Sequence, residues 1–408
     1  MWSWTLRDYI SRPTGSLMAH DPNPCKPRVV APRPGKRSAA PRSLVSTGMV
    51  PAGASGVRDY GHLLGDELRR RGKPVDEVWV VNDGHWLVGS FRASARLLGW
   101  GLRVPSDTQV VWHYSSFAYG WRGIPLPGVL LGLLLGTRGI QVLTVLHEPA
   151  YPWGRRGMRG RLQAVTQWMA LPLVVLGSSA VVVTTARRAA LLRRLPRPLR
   201  REVHDLAVFS TVEVATVGAG QPEGGHGSSL GLLGYTGDGA RPDLLFEALG
   251  ALGPPPGLRV VLIGAPGPES PDGCLWTQLA AAAGLADIIE FTGVVPPEEL
   301  SRRLQACDIA VLLNEYGPSS RRTTLAVALA HGMPIVALDG PDGWSEIALD
   351  GAALIVPCEP QALATALDAL LADPSRRRDL GLRARRFYEH RMGVTHVADA
   401  ITEVLMQL

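Results

Sequence analysis

SSRRTTLAVALAHGMPIVAL, residues 319–338, divides into a loop, a short helix and a strand. Ser319 and Ser320 are of the type that caps a helix start. Leu325, Val327, Ala328 and Leu329 give the helix an apolar body, and Gly332 and Pro334 end it before PIVAL begins as a buried strand. The charge is the odd feature. Arg321 and Arg322 stand at the positive end of the helix dipole, where cations are ordinarily unfavourable. Beside free helical N–H groups and the hydroxyls of Thr323 and Thr324, two guanidinium groups suit an anion, most simply a phosphate. The alternative is a pair of solvated arginines extended away from the helix end.

The chain around this stretch has 408 residues, too many for one ordinary core and suited to two domains of about 150 to 200 residues each. Its apolar fraction of 46% is that of a globular protein. Cys25, Cys274, Cys307 and Cys358 lie far apart without ligand-like spacing, which points away from zinc and from a disulfide framework and toward a reducing cytoplasm. The first residues, with Arg7, Asp8 and Arg12, lack the apolar core of a secretory signal. The formal charge of +6 hides an asymmetry. Residues 1–210 hold 29 Lys and Arg against 12 Asp and Glu, a net of +17, and residues 211–408 hold 13 against 24, a net of −11. A basic half suits nucleic acid, an anionic membrane or phosphorylated ligands. The aromatic and basic interleaving of a nucleic-acid module is missing, which leaves membrane or phosphate, or attraction between the two halves across a cleft.

Residues 1–42, rich in Pro, Arg and Ser, carry eight basic against two acidic side chains and read as a disordered basic tail. From Ser43 onward strands and helices alternate. SLVSTG is a strand, Gly53 to Gly56 form a glycine loop leading into a helix that runs through Glu67 to Arg71, and VDEVWVVN, VVWHYS, QVLTVLH and AVVVTT follow as strands. Non-alternating, β-branched strands separated by helix-length stretches imply α/β architecture, with a parallel sheet covered on both faces. The run PLPGVLLGLLLG is too short to span a bilayer and is either core or a membrane-surface contact. AVTQWMALPLVVLGSSAVVV is long enough, but Gln167, Pro172 and Gly177 interrupt it, so it reads as a buried helix running into a buried strand. Residues 216–229 have the composition of a linker. GLLGY, RVVLIG, IIEFTG, IAVLL, PIVAL and ALIVP then form a second parallel sheet, and two amphipathic helices close the chain. The expected organisation is a tail (1–42), a first domain (43–215), a linker (216–229), a second domain (230–388) and a terminal helix (389–408) packing back on the first domain. Two such doubly wound sheets turn their carboxyl ends toward a shared cleft.

SGVRDYGHLLGDELRRRG near the start, LHEPAYP at 146–152, EFTGVVPPEELSRRLQACDIAVLLN at 290–314, TTLAVALAHGMPIVAL and GWSEIALDGAALIVPCEPQALATAL occur in that order. Over about residues 43 to 390 the set resembles the nucleotide-sugar-dependent glycosyltransferases built from two Rossmann-like domains, the GT-B type, in the large retaining group called family 4. The resemblance implies that a donor diphosphate meets the helix beginning near Thr323, with Thr324 and Leu325 offering N–H groups and Thr323 or Thr324 a hydroxyl. It implies that Gly53 and Gly56 approach the same diphosphate, where the lack of side chains permits close contact. His147 matches a catalytic histidine beside the sugar ring, the alternative being a satisfied core histidine. Glu346 matches a loop near the donor, or merely caps the following helix. His113 and Tyr114 fall on the acceptor side. Asp59 would contact acceptor or donor, or only favour its helix's first turn.

This chain departs from the family's pattern at three points. The usual two glutamates, eight residues apart, align with Ser319 and Val327, leaving Glu315 as a substitute for the first. The usual phosphate-contacting lysine aligns with Ala240, next to Arg241. Arg241, Arg321 and Arg322 are therefore expected to form a cationic clamp on the diphosphate. With no Asp-x-Asp motif in the chain, the expected reaction needs no metal or other cofactor: a sugar passes with retention to a saccharide or lipid-linked acceptor, in cell-envelope or exopolysaccharide assembly. The expected setting is cytoplasmic, with peripheral membrane contact through the basic half and no nucleic acid. A nucleotide-sugar epimerase of the same fold and a degenerate sugar-nucleotide-binding protein are the alternatives.

Overall fold

The structure is a computed structural model and describes residues 43–53, 55–82, 87–119, 124–150, 157–216 and 228–408. The expected tail and nearly all of the expected linker lie outside the described residues. The first half contains β1 (Ser43–Pro51), α1 (Gly56–Arg70), β2 (Val75–Asn82), α2 (Leu87–Arg103), β3 (Thr108–Ser115), α3 (Leu126–Thr137), β4 (Gln141–Glu148), α4 (Gly157–Leu176), β5 (Ala180–Val183), α5 (Ala186–Arg193) and β6 (Glu202–Asp205). The second contains β7 (Ser229–Leu233), α6 (Pro242–Leu252), β8 (Arg259–Ile263), α7 (Pro271–Ala282), β9 (Ile289–Gly293), α8 (Pro297–Gln305), β10 (Ile309–Leu312), α9 (Thr323–Ala330), β11 (Ile335–Leu338), α10 (Ser345–Leu349), β12 (Leu354–Val356), α11 (Pro360–Ala372), α12 (Pro374–Arg391) and α13 (Val394–Gln407).

Every apolar run expected to be a strand is one, and the strands assemble into two six-stranded sheets ordered β2-β1-β3-β4-β5-β6 and β12-β11-β10-β7-β8-β9. All paired strands are parallel. β3 is buried along its whole length, as a central strand covered on both faces must be, whereas β2 at the edge has exposed and half-buried positions among its buried ones. β6, Glu-Val-His-Asp, carries no apolar run and joins the opposite edge, so the hydrophobic pattern does not announce it. Counted in chain order the second sheet runs 3-2-1-4-5-6, the doubly wound arrangement in which ligands bind where the order reverses. That point lies between β7 and β10, and its counterpart in the first sheet lies between β1 and β3.

The run ending in AVVV is a helix, α4, followed after three residues by the fully buried strand β5. The helix is buried on one side only and leaves Met158, Leu162, Met169 and Leu173 exposed, so the expected buried helix is half right. Among the described residues no helix is long and apolar enough to cross a membrane. α13 buries Val397, Ala398, Ile401, Val404 and Leu405 in the same cluster as Leu44, Leu64, Val111 and Leu143 of the first sheet and its covering helix. Gln109 fastens it by donating to Leu405 O at 2.8 Å. The last helix thus packs on the first domain.

At α9 the structure corrects one local expectation. Ser319 and Ser320 do not cap the helix. The N-cap is Arg322, and no side chain caps it. Ser320 instead joins the domains: its Oγ donates to Thr184 O at 2.6 Å, and its own carbonyl accepts from Val208 N at 2.8 Å. At the other helix start, Gly56 is already the first residue of α1, so the glycine loop ends at Ser55.

Candidate functional site

The carboxyl ends of the two sheets border a cavity of about 470 Å³. Its wall in the first domain is the end of β1 with the turn into α1 (Met49, Val50, Pro51, Ser55, Gly56, Val57), the end of β3 (Ser115, Phe117, Ala118) and the end of β4 (His147, Glu148). Arg321 and Thr323, at the start of α9, close it from the second domain. Gly53 holds φ +93°, a left-handed conformation that favours glycine, and the space where its Cβ would stand is open.

His147 is half-buried at the cavity wall. Its ring lies over that of His113, with centroids 5.4 Å apart and planes 24° apart, and His147 Nε2 is 3.1 Å from His113 Nδ1, so the pair shares one hydrogen bond. Tyr60 of α1 meets His147 edge-on at 5.0 Å and stacks on Phe209 behind it. Burial, reinforced by the nearby Arg188 charge, lowers the His147 pKa to about 4, and burial holds His113 well below the ordinary histidine value. Both imidazoles are therefore neutral at physiological pH. Arg188 donates to the His147 carbonyl at 2.9 Å and to Thr184 Oγ1 at 3.0 Å, which fixes the end of β4 against α5. Ser115 Oγ donates to Glu148 at 3.2 Å on the same rim.

His113 and Tyr114, expected on the acceptor side, are fully buried. Neither presents a side chain to the cavity. His113 instead backs His147, with its Nε2 sealed away from any partner, and Tyr114 packs among Trp112 and Tyr119 in the core. Close packing around His113 depends on Gly61, because a Cβ there would sit 2.3 Å from the Trp79 indole. Asp59 is exposed in the first turn of α1, outside the cavity wall.

In the second domain a narrow slot of about 30 Å³ lies at the reversal point between β7 and β10. Gly234, Tyr235, Ala240, Asn314, Gly317, Arg322 and Thr324 are among the groups lining it. Arg322 Nη2 donates to Asn314 Oδ1 at 2.6 Å, while its Nε is buried without an acceptor. Burial and the neighbouring Arg321 charge lower the pKa of this guanidinium. A desolvated cation with an unpartnered donor is costly to keep unless something anionic meets it. Arg321 faces the 470 Å³ cavity and lies 3.6 Å from Asp342, whose other oxygen takes Arg187 of the first domain at 3.1 Å. Thr323 is exposed toward the cavity and Thr324 lines the slot, so the two hydroxyl-bearing residues divide between the spaces. Leu325 is fully buried, and only its backbone N–H, among the first of α9, is placed to meet a ligand.

Arg241 does not join the other two arginines. Its guanidinium holds Asp243 with contacts of 2.6 to 3.0 Å and stands 3.9 Å from Glu315, and it lines neither space. Of the three arginines expected to form a clamp, Arg321 and Arg322 line these spaces and Arg241 does not. Glu315 and Glu346 also line neither space, and Glu346 accepts from Ser345 Oγ at 3.0 Å in the first turn of α10, whose N-cap is Trp344. Ser319 is buried, and Val327 packs in the core with Ile347 and Phe387, so neither position turns a polar group toward a ligand. Tyr60, Arg188 and Asn314 escaped sequence reasoning. Their partners are distant in the chain or stand outside any periodic pattern, and the only local signal was that Asn314 ends an apolar strand.

Residues 237–387 match the family model described as glycosyl transferases group 1. The D-inositol 3-phosphate glycosyltransferase of Nocardia farcinica is 34% identical over 172 residues, which is 40% of this chain and 36% of that protein. That of Corynebacterium diphtheriae is 28% identical over 171 residues, 39% of this chain and 37% of its own. The matches thus span little more than a third of the curated relatives' length. Among solved structures, the sucrose-phosphate synthase of Thermosynechococcus elongatus superposes with a TM-score of 0.64 at 18% identity, covering 90% of this chain and 99% of that one. The Anabaena protein HepE, in complex with UDP, superposes with a TM-score of 0.63 at 15% identity over 90% of this chain and all of its own. A UDP-N-acetylglucosamine 2-epimerase does so with a TM-score of 0.56 at 12% identity, covering 89% and 96%. The fold shared with the first two is the GT-B arrangement of two Rossmann-like domains.

Proposed function

We propose that this chain, whose residues 237–387 belong to the glycosyl transferases group 1 family, transfers a sugar from a nucleoside diphosphate sugar to a saccharide or lipid-linked acceptor. One observation carries the reading: a single cavity brings neutral His147 from the first sheet opposite Arg321 and Thr323 at the start of α9. The Anabaena neighbour bound to UDP-glucose supports a donor of this class.

In the proposed complex the diphosphate lies along the amino end of α9. The unpaired N–H groups of Thr324 and Leu325, the fork of Arg322 and the charge of Arg321 take up the negative charge that grows as the glycosidic bond to phosphate breaks. The bonding electron pair leaves with the phosphate oxygen. The acceptor oxygen bonds to the anomeric carbon from the same face, so configuration is retained, and the acceptor's proton passes to the departing diphosphate. The two arginines do here what a metal cation does in other transferases. His147 Nε2 is held by His113, which leaves Nδ1 to hydrogen-bond a sugar hydroxyl. Gly53 and Gly56 allow the backbone to come close to the donor. We place the reaction on the cytoplasmic side, in cell-envelope or exopolysaccharide assembly.

The test is to incubate the protein with uridine, guanosine and deoxythymidine diphosphate sugars, with and without a lipid-saccharide extract, and to follow released nucleotide and the fate of the sugar. Nucleotide release that rises with acceptor supports transfer. An isomerised nucleotide sugar without acceptor supports the epimerase reading that the third structural neighbour brings into view. Binding without turnover overturns both.

A further inference from the structure

α2, α3 and α4 cover one side of the first sheet, with α3 in the middle. The layer is unusually tight. A Cβ on Gly101 of α2 would strike Leu131 of α3 at 2.8 Å, and one on Gly177, at the end of α4, would lie 2.3 Å from the backbone of Gly132. α3 packs against both neighbours, so the outer surfaces of the three helices adjoin.

That face is apolar where a solvated face is polar. α2 exposes Val88, Phe91 (74%) and Leu102, α3 exposes Leu126 and Leu130, and α4 exposes Met158 (86%), Leu162, Met169 (71%) and Leu173. The spacings 126/130 and 158/162/169/173 are helical, so the last two helices each present a stripe rather than scattered residues. The charges on the face share one sign. Arg92, Arg96 and Arg103 of α2 and Arg161 of α4 are exposed, and no Asp or Glu occurs in any of the three helices. Exposed apolar area of this extent marks an interaction site. Cations interspersed with large apolar side chains, and no acid among them, match a surface that is negatively charged outside and hydrocarbon beneath.

The face also reaches the cavity. In a parallel α/β layer each helix starts at the carboxyl end of the strand before it, so Val88, Phe91, Leu126, Met158 and Leu162 gather at the cleft end. Phe117, itself exposed, carries the apolar rim into the 470 Å³ cavity.

We propose that the outer face of α2, α3 and α4 docks on an anionic lipid bilayer. Phe91, Leu162 and Met169 enter the headgroup boundary and Arg92, Arg96 and Arg161 hold lipid phosphates. The docking itself stands apart from the catalytic reading. Only its consequence, that a lipid-linked acceptor enters from the Phe117 rim, rests on that reading.

The experiment is co-sedimentation of the full chain, without nucleotide, with vesicles of phosphatidylglycerol and phosphatidylcholine or of phosphatidylcholine alone. Partitioning to the anionic vesicles is expected to be about tenfold or more stronger and to fall as salt is raised. Phe91→Asp with Met169→Asp, and separately Arg92→Glu with Arg96→Glu, are each expected to weaken it about tenfold or more while circular dichroism and UDP affinity stay unchanged. All four residues are exposed, so these variants keep the fold. Equal binding to both vesicle types overturns the proposal, as do variants that bind like wild type, which would assign binding to the basic tail. A wild-type dimer that the Phe91 and Met169 variant converts to monomer, with vesicle binding intact, also overturns it, by assigning the face to a second copy.

Discussion

Arg322→Ala separates a functional arginine from a structural one, because the two roles predict opposite changes. In the folded protein this guanidinium is largely desolvated, has one short bond, to Asn314 Oδ1, and leaves Nε without an acceptor. Removing it discards that single hydrogen bond, worth about 1 kcal/mol, and also relieves the cost of a poorly paired buried cation, so net stability should change by no more than about 1 kcal/mol in either direction. For domains of this size that is a melting shift of roughly 2 to 4 °C. The diphosphate tells a different story. A charge-assisted hydrogen bond contributes about 1.5 to 3 kcal/mol, so losing the Arg322 fork should weaken nucleoside diphosphate binding by roughly 10- to 150-fold. Arg322→Lys keeps the charge without the planar fork and should fall between wild type and Ala. Titration calorimetry with UDP and a thermal melt on the same preparations suffice. Affinity within about twofold of wild type, or a large loss of stability with affinity intact, would show that Arg322 only braces Asn314 and that the diphosphate lies elsewhere.

Three further outcomes are expected. The folded pKa of His147 lies near 4 against an ordinary 6.5, so between those values the unfolded chain binds more protons. Its contribution leaves stability flat above about pH 6.5 and erodes it as pH falls toward 4; urea midpoints at pH 7.5 and 5 should differ, and less so in His147→Asn, whereas an undiminished gap in the variant would refute the assignment. Gly177→Ala forces a methyl against the Gly132 backbone, which cannot move aside as a side chain can, and should cost about 1 to 3 kcal/mol in denaturant melts with UDP affinity retained. Ser320→Ala strands the Thr184 carbonyl between the domains and should cost about 1 to 3 kcal/mol while raising the donor KM; an unaltered KM would mean that this bond plays no part in domain closure.

Much of the architecture was legible in the chain because it depends on near neighbours. Runs such as VDEVWVVN and PIVAL, broken by helix-length stretches, required parallel strands buried on both faces, and the two sheets follow. RRTT before LAVALA likewise located a helix start with surplus positive charge, where Arg321 and Arg322 now stand. What only the tertiary structure decided are contacts between residues far apart in the chain. Ser320 has the composition of a cap, yet its oxygen meets Thr184, 136 residues away. Arg241 resembles its fellow arginines in sequence, but Asp243 already occupies it. His113 reads as a surface ligand at a strand end until the sheet stacks it under His147. The face of α2, α3 and α4 has the same physical cause: α3 and most of α4 are apolar on every side in sequence, and packing around Gly101, Gly132 and Gly177 determines which side is spent inside and which is left facing out.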